Sequence, residues 1–330
     1  MEHDRINNIV LFDTYQGSLN EGDAIIKQYI NEEMNFLFNN SNIARFSTHQ
    51  QIGRFYQFMH KNVILKACQN ADYKFLCGTN LFHTSLLRLS PNWNLNITGC
   101  SYYKNSIAIG CGMNVNSKRV NYYTKFLYKH ILAKDIIHST RDRRTKEFIE
   151  SLGFRAINTG CPTLWGLTKE LCHDIPNSKS KNVIFTLTDY KRDYKNDKIF
   201  IDILRRNYEK LYFWIQGYDD YNYLNSITNS KDITIIPHEL INYEHFLNEV
   251  KDVEFVGTRL HAGIYAMRHK KRSVILSVDN RAEDMKNSYN LNVISRKDIS
   301  SKLDNYINSE FNTDIKIPFD DIQRWKDQFR

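Results

Sequence analysis

Short apolar runs and helical patterns alternate along most of this chain of 330 residues. In the first half, apolar runs that predict buried strands lie at residues 9–12, 73–77, 107–109 and 135–139. Most of them are followed by a polar turn and then by apolar positions three or four residues apart, which is the period of a helix packed on a sheet. Strand, turn and helix in this order predict parallel βαβ units.

A second series of the same kind follows a polar segment at residues 173–182, HDIPNSKSKN, which is typical of a linker. Its predicted strands lie at residues 183–187, 211–215, 233–237, 253–256 and 273–278. We therefore predict an α/β protein with two Rossmann-like domains, residues 1–172 and 183–305, facing each other across a cleft. Residues 306–330 are predicted to be a helical tail that packs back across the domains.

Polar residues gather where two neighbouring strands of the second series end. Arg259 and His261 follow the strand that stops at Gly257, and Asp279, Asn280 and Arg281 follow the next strand. Ligands bind at the carboxyl edge of such sheets, and the N–H groups of a helix start favour anions there. An alternative is equally compatible with the spacing. Arg259 then forms a surface ion pair worth about 0–1 kcal/mol, and His261 only caps backbone groups.

Two other strand ends carry candidate residues. After the first strand come Asn20, Gly22 and Asp23, and Asp23 is placed either to cap the next helix or to face a ligand. After the first strand of the second series come Lys191 and Arg192, which could bind an anion or lie on a solvated loop.

Composition narrows the class of protein. The chain is 42% hydrophobic and 25% charged, which is ordinary for a soluble globular protein, and its apolar runs are far shorter than the roughly 20 residues of a membrane span. The first residues include acidic ones and lead directly into a strand, so we expect a cytoplasmic protein without a signal peptide. The six cysteines lack metal-ligand spacing, so we expect free thiols and no metal site.

The net charge of +8 is concentrated at residues 141–146 and 268–272. Such clusters usually form solvated helix faces. They could also bind a phosphorylated ligand or rest on an anionic membrane, where each cation adds about 1 kcal/mol. We expect no nucleic-acid partner, because no binding module surrounds these residues.

The motifs taken together resemble the polysaccharide pyruvyltransferase family over nearly the whole chain. The resemblance is carried by Asn20-Glu21-Gly22-Asp23, Ser139-Thr140-Arg141-Asp142, Gly160-Cys161-Pro162-Thr163, Trp214-Ile215-Gln216-Gly217 with Asp219, residues 257–262, and Val278-Asp279-Asn280-Arg281. Its members transfer the pyruvyl group of phosphoenolpyruvate to sugar hydroxyls as a cyclic ketal.

The resemblance implies a GT-B-like fold, phosphoenolpyruvate as co-substrate, and no metal or organic cofactor. It implies that Arg259 and His261 are the catalytic candidates of the phosphoenolpyruvate site, together with either Lys191 or Arg192 as a further donor contact. His261 is the candidate for giving and taking protons, and Leu260 is a further substrate-binding candidate. Asp23 is expected to orient or deprotonate a hydroxyl of the acceptor. The acceptor is expected to be a cell-surface glycan or its lipid-linked precursor at the inner membrane face. The other substrate-binding candidates are Asn20, Gly22, Arg141, Gln216, Asp279, Asn280 and Arg281.

Two alternatives remain open at this point. A glycosyltransferase of the same architecture would bind a nucleotide sugar, although the run Arg259-Leu260-His261 suits a small dianion better than a ribose. A non-catalytic glycan-binding relative would keep the fold and release no phosphate.

Overall fold

The computed structural model describes residues 6–52, 62–87, 92–114 and 119–330. The chain forms two compact units. The first comprises Met1–Ser18, Ile26–Trp165 and Pro318–Arg330, and the second comprises Leu19–Ile25 and Gly166–Ile317. The segment Leu19–Ile25 therefore belongs to the second unit, which differs from the continuous domain of residues 1–172 expected from the sequence.

The first unit is built on a parallel four-stranded sheet with the order β2-β1-β3-β5. Its strands are β1 (Asn7–Asp13), β2 (Ser41–Ser47), β3 (Tyr73–Cys77) and β5 (Ser106–Ile109). Two short parallel pairs accompany it, β4 (Asn80–His83) with β6 (Gly112–Asn114) and β7 (His138–Thr140) with β8 (Ala156–Asn158). The helices are α1 (Glu21–Glu33, whose first turn lies in the second unit), α2 (Asn35–Phe38), α3 (Val63–Asn70), α4 (Cys100–Tyr103), α5 (Tyr122–Ile131) and α6 (Arg143–Ser151).

The C-terminal helix packs on this first unit. Helix α14 (Phe319–Lys326) places the Nε1 of Trp325 2.8 Å from the carbonyl of Ile137, to which it donates a hydrogen bond. Phe329 lies edge-on to Phe75, with ring centroids 5.3 Å apart. The tail predicted as one segment is thus divided, because α13 (Asp304–Asn308) belongs to the second unit.

The second unit contains a parallel six-stranded sheet with the order β11-β10-β9-β12-β13-β14. The strands are β9 (Asn182–Thr186), β10 (Lys210–Trp214), β11 (Ile233–Ile236), β12 (Val253–Gly257), β13 (Ser273–Ser277) and β14 (Val293–Ser295). The helices are α7 (Lys169–His173), α8 (Tyr194–Asn207), α9 (Asp220–Ile227), α10 (Leu240–Glu249), α11 (Leu260–Arg268), α12 (Asn280–Tyr289) and α13. The strand order reverses between β9 and β12, and doubly wound sheets bind ligands outside the carboxyl ends of the strands at that point.

Helix α11 approaches the sheet closely because small residues face it. A Cβ added to Gly263 would lie 2.6 Å from the Cγ1 of Ile275 and 2.9 Å from the Cε1 of Phe255. The missing side chain therefore sets the distance between α11 and strands β12 and β13. This contact fixes the start of α11, and with it the position of Arg259 and His261.

The basic cluster at residues 268–272 is largely paired within the fold. Arg272 is 1% exposed, and its Nη1 lies 2.5 Å from the carboxylate of Glu254. Lys271 is buried and donates to the carbonyl of Val250, whereas Lys270 pairs with Asp174 at the surface. Residues 270–272 are therefore each paired within the fold, and contact of this cluster with a membrane or a phosphorylated ligand stays a prediction. Among the described residues, every helix is too short or too polar to span a bilayer.

We predict that Gly263→Ala destabilises the protein by about 1–3 kcal/mol, because overpacking against Ile275 and Phe255 outweighs the better helix propensity of alanine. Urea unfolding measures the change. Gly99→Ala is the matched control, since its new methyl group would meet its neighbours at 3.6–3.8 Å, and it should change the stability by less than about 0.5 kcal/mol. Equal stability of the two variants would contradict the prediction.

Candidate functional site

Arg259 lies at the reversal point of the six-stranded sheet, between the ends of β9 and β12. It precedes α11, is 3% exposed, and its Nε donates to the carbonyl of Leu187 at 2.8 Å. Its Nη2 donates to the Oδ1 of Asp189 at 2.7 Å and also to Asp220. The guanidinium group is thus held by the loop after β9 and by the start of α9.

Asp220 is the buried counterion of Arg259. Its side chain is fully buried and accepts hydrogen bonds from the backbone N–H groups of Gly217 at 2.6 Å and Asp189 at 3.1 Å. Burial raises the pKa of Asp220 to about 6, although Arg259 favours the charged form. Burial also disfavours the charge on Arg259, but the carboxylates of Asp220 and Asp189 raise the pKa of this guanidinium above its ordinary value.

A cavity of about 20 Å³ opens beside Arg259, and a cavity of this size has room for about one water molecule. His261, in the first turn of α11, lines it and is 8% exposed. Tyr190 lies at the rim, since its side chain is largely exposed while the Cζ of Arg259 lies 5.1 Å from its ring centroid. The lining residues are Asn20, Tyr190, Gln216, Thr258, Arg259, Leu260, His261, Leu276, Val278, Asp279, Arg281 and Ala282.

The end of β13 contributes Asp279 and Arg281 to the same cavity. Asp279 caps α12 by accepting a hydrogen bond from the N–H of Arg281 at 2.9 Å, and the two side chains form an ion pair at 2.6 Å. Arg281 also donates from its Nη2 to the hydroxyl of Tyr190 at 2.8 Å. The structure thus brings both predicted strand ends to one place. Asn280 begins α12, and its side chain lies outside what the structure describes.

Asn20 and Gln216 contact each other where they line this cavity, and both belong to the second unit. The Nε2 of Gln216 donates to the Oδ1 of Asn20 at 2.7 Å, and the same oxygen accepts from the N–H of Gly22 at 3.1 Å. A Cβ on Gly22 would lie 2.8 Å from that Nε2. The glycine therefore allows the amide pair to form against the start of α1.

One of the two roles predicted for Asp23 was to cap helix α1, and Asp23 does not occupy the capping position. The helix begins at Glu21, so Asp23 is its third residue, and its backbone N–H donates to the carbonyl of Asn20 at 3.0 Å. The earlier start is explained by a β-bridge between Asn20 and Gly217, which fixes the chain just before the helix. Asp23 lies apart from the residues that line the cavity.

Three predicted cations also lie apart from the cavity lining. Lys191 is exposed on the short helix after β9, and Arg192 is exposed and pairs with Asp219. Arg141 is in the first unit, where it is 5% exposed, donates its backbone N–H to the carbonyl of Cys111 and donates from its side chain to the Oδ1 of Asn80. Which of Lys191 and Arg192 contacts a ligand stays a prediction.

A family model of polysaccharide pyruvyl transferases matches residues 15–280 of the chain. The chain belongs to the polysaccharide pyruvyl transferase family. The matched range contains Arg259, His261 and Gln216 and ends just after Asp279. Members of this family are enzymes.

Solved structures with the same fold are sugar-processing enzymes. The UDP-GlcNAc 2-epimerase of Methanocaldococcus jannaschii, solved with UDP-GlcNAc and UDP, has a TM-score of 0.51 at 11% identity and covers 97% of both chains. A putative UDP-N-acetylglucosamine 2-epimerase from Listeria monocytogenes has a TM-score of 0.50 at 11% identity, over 97% of this chain and 94% of its own. At this identity the likeness shows the fold alone, which is α/β of the GT-B type, as predicted. The comparison with curated proteins gives no match.

In this pyruvyl transferase family member, three residues that contact Arg259 were not predicted from the sequence as part of the site. Asp220 follows the quoted Asp219, and nothing in the letters distinguishes the buried acid from its exposed neighbour. Tyr190 and Asp189 stand in a polar loop that resembles any solvated turn. The start of α9, three residues after Gly217, favours an acid, but this pattern applies to Asp219 and Asp220 alike.

We predict that Asp220→Ala destabilises the protein by about 3–5 kcal/mol at neutral pH, because it removes the buried partner of a buried cation. Asp219→Ala is the matched control, because Asp219 pairs with Arg192 at the surface and should contribute about 0–1 kcal/mol. Denaturant unfolding of both variants measures the difference. A loss for Asp220→Ala no larger than that for the control would contradict the prediction.

Proposed function

We propose that this chain transfers the pyruvyl group of phosphoenolpyruvate to a sugar of a cell-surface glycan, or of its lipid-linked precursor, as a cyclic ketal with release of phosphate. Family membership supports the pyruvyl transfer. The observation that carries the proposal is that Arg259, His261 and Arg281 line one cavity at the reversal point of the second unit's sheet. Two guanidinium groups and an imidazole suit a small phosphorylated acid.

The donor site would use both guanidinium groups. Phosphoenolpyruvate carries a carboxylate and a phosphate, and the planar fork of arginine matches either anion. Arg259 already contacts two carboxylates, of which Asp189 is 22% exposed and Asp220 fully buried. A donor anion would therefore replace Asp189 while Asp220 keeps the guanidinium in place. Arg281 is 30% exposed at the rim and supplies the second cation.

The chemistry requires proton transfers that balance. The first sugar hydroxyl adds to the central carbon of phosphoenolpyruvate and loses its proton, while the methylene carbon gains one and becomes a methyl group. The bond from the central carbon to the phosphate oxygen then breaks, and the second hydroxyl closes the ring. Its proton leaves with the phosphate. We assign the proton transfer to the methylene carbon to His261, since histidine gives and takes protons near neutral pH.

We further propose that the reaction needs no metal or organic cofactor and takes place in the cytoplasm, where phosphoenolpyruvate is available. In the described parts of the chain, no group of three or more His, Cys, Asp or Glu residues could hold a metal ion. The cations that neutralise the leaving phosphate would then be the side chains of Arg259 and Arg281.

We expect His261→Gln to lower the kcat of phosphate release by a factor of about 10²–10⁴, because the proton donor is lost.

Arg259→Lys keeps a cation next to Asp220 but loses the planar guanidinium, and it should mainly raise the KM for phosphoenolpyruvate, by about tenfold or more. Arg324→Ala, on the exposed face of α14, is the control. A normal kcat for His261→Gln, or tight nucleotide-sugar binding with none of phosphoenolpyruvate, would refute the proposal.

Metal removal gives an independent test. We expect phosphate release to be unchanged after dialysis against EDTA, because the charge of the donor is neutralised by arginine side chains. The assay compares the dialysed enzyme with the same enzyme supplied with Mg²⁺ or Mn²⁺. Loss of activity on dialysis and its recovery with either ion would show that a metal takes part.

A further inference from the structure

The side-chain oxygen of Gln216 is a buried acceptor whose partner is missing from the described residues. Gln216 is 2% exposed and lines the cavity that also contains Arg259 and His261. Its Nε2 is used by Asn20, whereas its Oε1 has no hydrogen-bond partner in the part of the chain that the structure describes. A buried amide oxygen left unpaired is unfavourable, so a ligand that supplies a donor there gains affinity.

The orientation of this amide is determined by its neighbours. The backbone N–H of Gly22 can only donate, so the atom of Asn20 that it contacts at 3.1 Å is the oxygen Oδ1. The atom of Gln216 that contacts the same Oδ1 at 2.7 Å must then be the nitrogen. Gln216 therefore presents its oxygen as the side-chain atom that has no partner among the described residues.

We infer that Gln216 Oε1 accepts a hydrogen bond from a hydroxyl of the acceptor sugar, and that Asn20 and Gly22 position Gln216 for this contact. The inference rests on the proposed function. The carboxylate and the phosphate dianion of phosphoenolpyruvate present only acceptors, which an amide oxygen repels, whereas sugar hydroxyls are donors. Arg259 and Arg281 suit the phosphoenolpyruvate anion, whereas the oxygen of Gln216 suits a sugar hydroxyl. The residues that line this cavity therefore include contacts for both substrates. Gln216 is thus a residue for acceptor binding and specificity.

The experiment uses the full chain, and its two readouts separate the substrates. Isothermal titration measures the affinity for phosphoenolpyruvate. A set of p-nitrophenyl hexosides serves as model sugar acceptors. Phosphate release gives the KM for each hexoside that supports turnover. Gln216→Met keeps the length of the side chain and removes the whole amide, its oxygen as well as the NH₂ that bonds Asn20, and we expect it to raise the hexoside KM by about tenfold to a hundredfold. The Kd for phosphoenolpyruvate should stay within about twofold, because no contact to the donor is lost.

Companion variants test how Gln216 is positioned. Asn20→Ala removes the acceptor that orients the amide and should raise the hexoside KM, whereas Asn20→Asp keeps an oxygen for both contacts and should raise it less. Gln323→Met, an exposed glutamine on α14 that contacts Asp327, is the matched control and should change neither constant.

The outcomes are distinct. An unchanged hexoside KM in Gln216→Met would mean that a buried water is the only partner of the amide, and a tenfold weaker affinity for phosphoenolpyruvate would place Gln216 at the donor. Either result overturns the inference and leaves the proposed function intact. Failure of the unaltered chain to bind phosphoenolpyruvate would instead refute the proposed function, and the inference with it.

Discussion

The buried ion pair between Arg259 and Asp220 is the interaction on which the candidate site depends. It joins the end of β12 to the start of α9, and through Asp189 and Leu187 it also fixes the loop after β9. Three elements that are far apart in the sequence therefore converge on one guanidinium group. Since a buried charge without its partner is costly, the arrangement of these loops and the charge of Arg259 stabilise each other.

This pairing also limits how a ligand anion can bind. A guanidinium that is already neutralised attracts an anion less than an unpaired one, so the site gains selectivity from the exchange of one carboxylate for another group. The partly exposed Asp189 is the natural one to exchange, whereas Asp220 has two backbone N–H groups to stabilise its charge. Asp279 and Arg281 form a second acid–arginine pair at the rim of the cavity, and Tyr190 contacts both arginines.

Much of the fold and part of the candidate site could be predicted from the sequence, because they depend on the order of neighbouring residues along the chain. The alternation of strand and helix gives the parallel sheets, and the residues that follow Gly257 and Val278 must lie at the carboxyl edge of neighbouring strands. What could not be predicted depends on contacts across long stretches of chain. Whether Asp219 or Asp220 is buried, and whether Lys191 faces the cavity, is decided by packing that has no local pattern. Glu254, a charge in an apolar strand, is a local indication that Arg272 of the nearby basic cluster is buried, since the two side chains form an ion pair.

The first turn of α1 has a consequence for any attempt to divide the molecule. Leu19–Ile25 belongs to the second unit although it stands some 140 residues ahead of Gly166, where the rest of that unit begins. A fragment cut as Gly166–Ile317 would lack the carboxylate of Glu21, which accepts from the N–H of Leu240 at 3.1 Å. It would also lack the Oδ1 that fixes the amide of Gln216. Such a fragment therefore lacks part of the unit that it is meant to represent. A chain in which residues 19–25 are joined to residues 166–317 by a linker would be the better minimal form.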